Sequence, residues 1–276
     1  MKNFIINTIN YLYYYNKIFI PFFGDPNVDK STIINGIIGE EILPTSLGEC
    51  TKKGIIIRYC NRNEEEITIR KAKLEEINCF EKSIYFFNPS EEIIAKGKKQ
   101  VIDVLNGLNY SFADEEEDSF YYIRTKIKLF DEIGLSDNLK SFIYLVDFPG
   151  YSTDNIFVKN NIYEKVLSFC NSFMFIVRNS KFKEQETKKI LNLIVNLIKN
   201  EKKNSYSGIL KSCAFIMNND NSQSTEDEVL KQAKNGIQCL IDYNGDKEED
   251  SKEEKKFIKN DKINLYFFDE IIFKVL

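Results

Sequence analysis

Histidine is absent from all 276 residues of this sequence. Its absence excludes a Ser-His-Asp catalytic triad, a histidine general base and a zinc site built from cysteine and histidine. No C-x-x-C pair occurs either, because the six cysteines are scattered at Cys50, Cys60, Cys79, Cys170, Cys213 and Cys239. Most of them lie in apolar runs, so we expect reduced thiols in the core of a cytosolic protein.

Long apolar runs are missing too. The first 20 residues are apolar but are interrupted by Asn7, Asn10, Asn16 and Lys17, so no run reaches the roughly 18–20 residues of a membrane span. A continuous signal-peptide core is also lacking. The net charge of −4 argues against broad affinity for nucleic acid. We therefore expect a cytoplasmic protein that binds no nucleic acid and reaches a membrane only through segments not present here.

Short apolar runs alternate with helix-period segments along the chain. The run "SFIYLVDFPG" (141–150) is almost wholly apolar, as in a parallel strand buried on both faces. The alternation predicts an α/β fold with a doubly wound, mostly parallel sheet and helices on both faces. No linker is evident, so we expect one domain over residues 1–276, with a lead-in segment at 1–17 and a charged loop at 244–261. This domain would be complete in itself or a fragment of a longer chain.

Three local predictions follow from residue patterns. The segments "GIIIRYC" (54–60) and "EITIRK" (66–71) flank a polar stretch and predict a hairpin. A helix is predicted from Asn88, as its N-cap, to Gly107. The alternating pattern of "YYIRTKIKLF" (121–130) predicts a half-exposed strand.

The stretch "IFIPFFGDPNVDKSTIINGIIG" (18–39) comes close to a phosphate-binding loop. A buried strand, a glycine, Lys-Ser-Thr and an amphipathic helix follow one another, which is the context the pattern G-x-x-x-x-G-K-[ST] requires. Gly24 would permit the turn, Lys30 would reach the β- and γ-phosphates, and Ser31 would hold Mg²⁺. Asp29 replaces the second glycine of the pattern.

Two further positions fit the same site. Asp147 ends a buried strand and is followed by Pro-Gly, where a nucleotide-hydrolysing fold places an aspartate near Mg²⁺ and the N–H of Gly150 near the γ-phosphate. Thr51 precedes a strand, where a switch threonine would close over Mg²⁺ and the γ-phosphate.

Together, "GDPNVDKSTIINGIIG", "LPTSLGECTKKGIIIRY" and "FIYLVDFPG" resemble the GTPase domain of the dynamin superfamily. The resemblance implies GTP binding and hydrolysis with Mg²⁺, a homodimer across the nucleotide face, and membrane remodelling by longer chains. It implies catalytic roles for Lys30, Thr51 and Asn27 and metal contacts from Ser31, Thr51 and Asp147. The implied nucleotide-binding residues are Gly24, Asp25, Pro26, Asn27, Val28, Asp29, Lys30, Ser31, Thr32, Gly150, Asn218 and Asp220.

Several positions depart from the family pattern. Asp220 stands where guanine would be read, but Asn218 replaces the expected lysine, and Pro26 cannot place an attacking water through its side chain. Asp29 adds bulk and like charge beside the phosphates, worth roughly 4 kcal/mol at about 4 Å in a dielectric near 20. It could instead cap the helix with its own carboxylate or pair with Lys30.

Three hypotheses therefore stay open. The first is a GTPase weakened by Asp29, and the second is a nucleotide-free pseudo-GTPase that acts as an interaction module. The third is a different phosphate-binding-loop nucleoside triphosphatase, one that prefers ATP.

Overall fold

The computed structural model describes residues 17–45, 53–60, 67–79, 82–110, 119–151, 161–170, 172–178, 214–218 and 264–268. The chain separates into two compact units, Met1–Asn171 and Ser172–Leu276. The expectation of one domain over the whole chain stays a prediction.

The described part of the first unit is a sheet with helices. Its strands are β1 (Ile18–Gly24), β2 (Gly54–Tyr59), β3 (Thr68–Cys79), β4 (Lys82–Pro89), β5 (Ala95–Lys96), β6 (Ser119–Thr125) and β7 (Ile143–Asp147). Its helices are α1 (Lys30–Ile38), α2 (Lys98–Tyr110), α3 (Lys128–Glu132), α4 (Asp137–Lys140) and α5 (Ile162–Leu167).

The strands lie in the order β1, β7, β2, β6, β3, β4, and β5 pairs with β3. The pairs β1–β7 and β2–β6 are parallel. Antiparallel pairs join β2 to β7 and β3 to β4, β5 and β6. The ring centroids of Phe19 in β1 and Phe87 in β4 are only 5.5 Å apart although four strands lie between them. The sheet of this unit is therefore strongly curled.

Helices pack on both faces of this sheet. Phe23 of β1 contacts Tyr163 of α5 with 5.7 Å between ring centroids. Tyr59 of β2 contacts Phe130 of α3 at 6.4 Å, and the strand register puts Tyr59 on the opposite face from Phe23. All five residues of β7 are buried, as a strand covered on both faces requires.

In the second unit, three strands are described. They are β8 (Met174–Arg178), β9 (Ala214–Asn218) and β10 (Asn264–Phe268). β9 lies between the other two and is parallel to both. The α/β fold with a mostly parallel sheet and helices on both faces is confirmed.

The predicted hairpin of residues 54–60 and 66–71 is wrong. Both segments are strands, but β6 lies between β2 and β3 and pairs with each of them. β6 was expected to be half exposed and to run on to residue 130, yet Phe120, Tyr121, Tyr122 and Ile123 are all buried. β6 is thus covered on both faces, and its pairing with two neighbours makes it an interior strand of the sheet.

The predicted helix from Asn88 to Gly107 begins too early. Asn88 and Pro89 end strand β4, which pairs antiparallel with β3. Helix α2 starts at Lys98, directly after Gly97, whose φ of 91° lies in the left-handed region. The apolar run before Asn88 therefore outweighs the Asn-Pro helix signal, because its phenylalanines Phe86 and Phe87 are buried in the sheet.

Candidate nucleotide-binding site

Strand β1 and helix α1 form a tight corner. The strand ends at Gly24 and the helix begins at Lys30, so five residues make the turn. Asn27 and Asp29 both adopt left-handed backbone, with φ of 61° and 64°. Glycine takes that conformation without penalty, and Asn and Asp are the side chains that tolerate it best. Asp29 thus keeps the backbone shape that the glycine of the motif would have.

Asp29 occupies the N-cap position of α1 through its backbone but not through its side chain. Its backbone carbonyl accepts a hydrogen bond from the N–H of Ile33 at 3.0 Å, but its exposed side chain makes no capping hydrogen bond. The expectation that the Asp29 carboxylate caps the helix is therefore wrong. A residue in left-handed backbone does not have the extended conformation of an ordinary N-cap, and this explains the difference.

Lys30 folds back onto its own loop. Its ammonium donates to the carbonyl oxygen of Asp25 at 2.8 Å and more weakly to that of Gly24 at 3.4 Å. The residue is only 6% exposed. The carbonyl oxygens partly satisfy a buried charge in the position where a phosphate-binding lysine acts, and a bound phosphate would compete with them for the ammonium.

Ser31 and Asp147 meet across the corner. The Ser31 hydroxyl donates to Oδ2 of Asp147 at 2.7 Å, and both residues are buried. The parallel register of β1 and β7 sets Phe22 opposite Asp147. The carboxyl ends of these two strands therefore lie side by side, which brings the helix start and the strand-end carboxylate together.

The turn after β7 lies against the phosphate-binding loop. The N–H of Tyr151 donates to the carbonyl oxygen of Gly24 at 3.2 Å. A Cβ at Gly150 would come within 2.5 Å of the Cα of Pro26, so only glycine fits there. Gly150 and Pro26, both predicted nucleotide-binding residues, are thus in direct contact.

One residue that holds this turn has no signal in the sequence pattern. The hydroxyl of Tyr163 in α5 donates to the carbonyl oxygen of Pro149 at 2.6 Å. Its ring packs against Phe148 and Tyr151, with centroids 5.2 and 5.3 Å away. Burial, with smaller contributions from Tyr151 and Asp147, raises the pKa of Tyr163 far above its usual value. The hydroxyl therefore remains a hydrogen-bond donor at neutral pH.

Asn35, in the middle of α1, is a second residue whose contacts the sequence pattern did not indicate. Its side chain is buried and bonds to the backbone of Ile42 and Leu43, just beyond the end of the helix. A helix-period pattern marks Asn35 only as a polar interruption, so nothing in the sequence indicated these contacts.

The other predicted site residues fall into two groups. In the loop and α1, Asp25 and Val28 are buried, Thr32 is half-buried and Asn27 is exposed. Thr51 and Asp220 lie outside the described residues, and Asn218 ends β9 in the second unit. The roles predicted for the site residues stay predictions.

The chemistry of the paired side chains suits Mg²⁺. A hydroxyl and a carboxylate are hard oxygen donors, and Mg²⁺ commonly takes only one or two protein ligands and completes its shell with water and substrate phosphates. Within the residues that the structure describes, no group of three His, Cys, Asp or Glu side chains could hold a metal. Ser31 and Asp147 thus fit a metal carried by a phosphate ligand better than a metal caged by protein alone.

The β1–loop–α1 corner with a strand-end aspartate beside it is typical of phosphate-binding-loop nucleotide proteins. The sequence profile described as "Dynamin family" matches residues 20–220. The chain therefore belongs to the dynamin family, and the resemblance seen in its motifs is confirmed. A search of curated proteins finds no significant match.

A solved structure shows a similar fold. It is described as part of an oligomerised bacterial dynamin pair that provides a mechanism for long-range sensing and tethering of membranes; it has a TM-score of 0.56 and 12% identity and covers 96% of this chain. A second structure described in the same terms has a TM-score of 0.49 and 15% identity and covers 92%. This chain spans 35% and 30% of the length of those two chains.

A third structure is a dimerization-deficient mutant of Toc33 from Arabidopsis thaliana. It has a TM-score of 0.43 and 11% identity and covers 91% of this chain and 70% of that one. At 12% identity, the similarity to the first of these structures concerns the fold alone. Across the described parts of the chain, no helix is long and apolar enough to cross a membrane.

Proposed function

We propose that this chain is a dynamin-like G domain that binds GTP with Mg²⁺ and hydrolyses it slowly. The observation that carries the proposal is the 2.7 Å contact between the Ser31 hydroxyl and Asp147, beside a buried lysine at the start of α1. These are the three side-chain positions that the phosphate-binding-loop mechanism requires. Membership of the dynamin family supports guanosine over adenosine triphosphate.

Each residue has a defined task in this proposal. Lys30 exchanges its carbonyl partners for the β- and γ-phosphate oxygens and balances their charge. Ser31 and Asp147 hold Mg²⁺, which when bound neutralises phosphate charge. Gly150 presents its N–H toward the γ-phosphate from a turn held in place by Tyr163.

Slow turnover follows from the loop itself. Asp29 brings a negative charge to the rim of a site for anions, and Pro26 has no hydrogen-bonding side chain to orient water. Thr51 and Asn27 remain to position the attacking water, and Asp220 remains to read the guanine. With Asn218 in the lysine position, we expect weaker discrimination against ATP than the family pattern would give.

A second candidate is a nucleotide-free pseudo-GTPase that acts as an interaction module. The contact between Pro26 and Gly150 favours it, because the phosphate-binding loop and the turn after β7 lie directly against each other. The carbonyl bonds of Lys30 favour it as well, since they give the buried ammonium two partners within the protein itself.

Phosphate release from GTP and from ATP, each with and without Mg²⁺, separates these candidates. The proposal expects slow, Mg²⁺-dependent release with GTP preferred, and loss of that release in Lys30→Ala. Thermal stabilisation by GTP without turnover would reduce the function to binding. If no nucleotide shifts the melting temperature, the interaction module is the better account.

Two further expectations come with family membership. A G domain of this kind would form a homodimer across its nucleotide face when GTP is bound. Association with a membrane would be peripheral and would depend on segments outside these residues, with the domain itself in the cytoplasm.

A further inference from the structure

Asn35 lies on α1, the helix that begins with Lys30 and Ser31. Its Oδ1 atom accepts hydrogen bonds from the backbone N–H groups of Ile42 at 3.1 Å and Leu43 at 2.9 Å. Its Nδ2 atom donates to the carbonyl oxygen of Leu43 at 2.9 Å. One buried side chain thus satisfies three backbone groups of a segment that has no regular secondary structure.

These bonds explain why an asparagine occupies a buried helical position. Asparagine has no advantage in helix propensity over the isoleucines around it, and burying its amide without partners would cost free energy. Ile42 and Leu43 are themselves buried, and their backbone groups need partners away from water. The amide of Asn35 supplies them.

Gly39 directs the chain toward Asn35. Helix α1 ends at Ile38, and Gly39 has a left-handed φ of 83° and donates its N–H to the carbonyl oxygen of Asn35. A Cβ at Gly39 would come within 2.6 Å of the Lys128 side chain. The chain therefore leaves α1 through a turn at Gly39, and Ile42 and Leu43 are hydrogen-bonded to the same helix.

The segment between Leu43 and Gly54, which we call the switch segment, is also attached at its second end. β2 begins at Gly54, and Ile55 lies opposite Asp147 in the antiparallel β2–β7 pair. The stretch between Leu43 and Gly54 contains Thr51, the predicted switch threonine. Its two ends are thus attached to α1 and β7, the elements that carry Ser31 and Asp147.

We propose that Asn35 is a positioning residue, which fixes the start of the switch segment to the helix that holds the phosphates. The consequence for nucleotide rests on the proposed function, in which Thr51 contacts the γ-phosphate. Freeing a few more residues changes the closure entropy of a loop only slightly. The contribution of Asn35 is therefore the placement of Ile42 and Leu43 against α1 rather than a shorter loop.

The decisive variant is Asn35→Ala, measured by the ratio of affinities for a non-hydrolysable GTP analogue and for GDP. Only the analogue has the γ-phosphate that Thr51 would contact, so we expect the ratio to fall about 5- to 10-fold. Ile38→Val is the matched control, because Ile38 is buried in the same helix and its side chain can form no hydrogen bond to residues 42 and 43. A loss of stability alone would leave the ratio unchanged in both variants.

Hydrogen exchange on the nucleotide-free protein tests the attachment independently. In Asn35→Ala, the amides of Ile42 and Leu43 should exchange faster, and by more than the loss of global stability explains. In Ile38→Val, any faster exchange of these amides should match the loss of global stability. Should Asn35→Ala fail to fold, Asn35→Asp replaces it, since a carboxylate keeps the acceptor but removes the donor to Leu43.

The outcomes are distinguishable from failure of the proposed function. If no nucleotide binds the wild-type protein, the proposed function fails, and the exchange measurement still decides whether Asn35 fixes the segment. An unchanged affinity ratio, or exchange at Ile42 and Leu43 that merely follows global stability, overturns the positioning role.

Discussion

Replacing Asp29 with glycine restores the phosphate-binding motif at its one divergent position. The substitution changes two contributions, one to the stability of the protein and one to its affinity for nucleotide. The first concerns the backbone, whose φ of 64° is left-handed and costs a residue with a side chain about 1–2 kcal/mol. Glycine removes that strain but loses roughly 0.5–1 kcal/mol more conformational entropy on folding. The free energy of unfolding of the nucleotide-free protein should therefore rise by between about 0 and 1.5 kcal/mol.

The second term is electrostatic. A carboxylate about 4 Å from one phosphate charge repels it by about 1 kcal/mol in water and about 4 kcal/mol at the effective dielectric of a protein surface. Asp29 is exposed, so the lower part of this range applies. We expect Asp29→Gly to bind GTP with Mg²⁺ about 10- to 50-fold more tightly than the wild type.

Fluorescence titration of a labelled GTP analogue with Mg²⁺ measures this gain. Asp29→Asn is the matched variant, because asparagine tolerates the left-handed backbone equally well but carries no charge. If charge is the obstacle, Asn recovers most of the gain; if the side chain obstructs the phosphates sterically, only Gly does. Equal affinities for wild type and both variants would refute the argument that residue 29 limits binding.

Further changes test other parts of the account. Ser31→Ala removes the hydrogen-bond donor to Asp147 and should cost about 1–3 kcal/mol of stability. It should also abolish the effect of Mg²⁺ on nucleotide affinity. An unchanged Mg²⁺ dependence would exclude Ser31 as a ligand of the metal. Tyr163→Phe keeps the ring but loses the hydrogen bond to the turn after β7, so we expect about 1–2 kcal/mol less stability by chemical denaturation. No loss is expected if ring packing alone holds this turn. Burial, and next the charge of Arg58, lowers the pKa of Lys17 to about 8, so the folded state holds that proton less firmly than the unfolded chain. Between pH 8 and about 10.5, the free energy of unfolding of the wild type should therefore rise relative to that of Lys17→Met. The expected rise is roughly 1 kcal/mol once solvent screening is allowed for. A constant difference across that range would contradict the lowered pKa of Lys17.

The convergence of Ser31 and Asp147 could be predicted because it depends on local rules. Each follows a strongly apolar strand, and parallel neighbouring strands end at the same edge of a sheet. The sequence also identified which segments are strands in most cases. Apolar periodicity reports burial, and burial is what these segments share.

Strand pairing was less accessible to sequence reasoning. β2 and β3 are close in sequence, yet β6, which is buried on both faces, lies between them. Periodicity assigns a segment to a face but says nothing about which strand lies beside it. The helix signal at Asn88 failed for a related reason, since the need to bury Phe86 and Phe87 overrode local capping preference.

Asn35 and Tyr163 mark a second limit. Each acts through a hydrogen bond to a backbone group, of residues 42 and 43 for Asn35 and of residue 149 for Tyr163. A backbone carbonyl or N–H has no sequence signature, so these contacts appear only once the fold is known. The same applies to the contact of Pro26 with Gly150.

Calorimetric titration of GTP in the presence and absence of Mg²⁺, on the wild type and on Asp29→Gly, tests the central claim most directly. If Ser31 and Asp147 hold a metal that a nucleotide brings with it, both proteins bind GTP more tightly with Mg²⁺, and Asp29→Gly binds it more tightly than the wild type. Absence of Mg²⁺-dependent GTP binding in both proteins would contradict the claim that this corner is a nucleotide site.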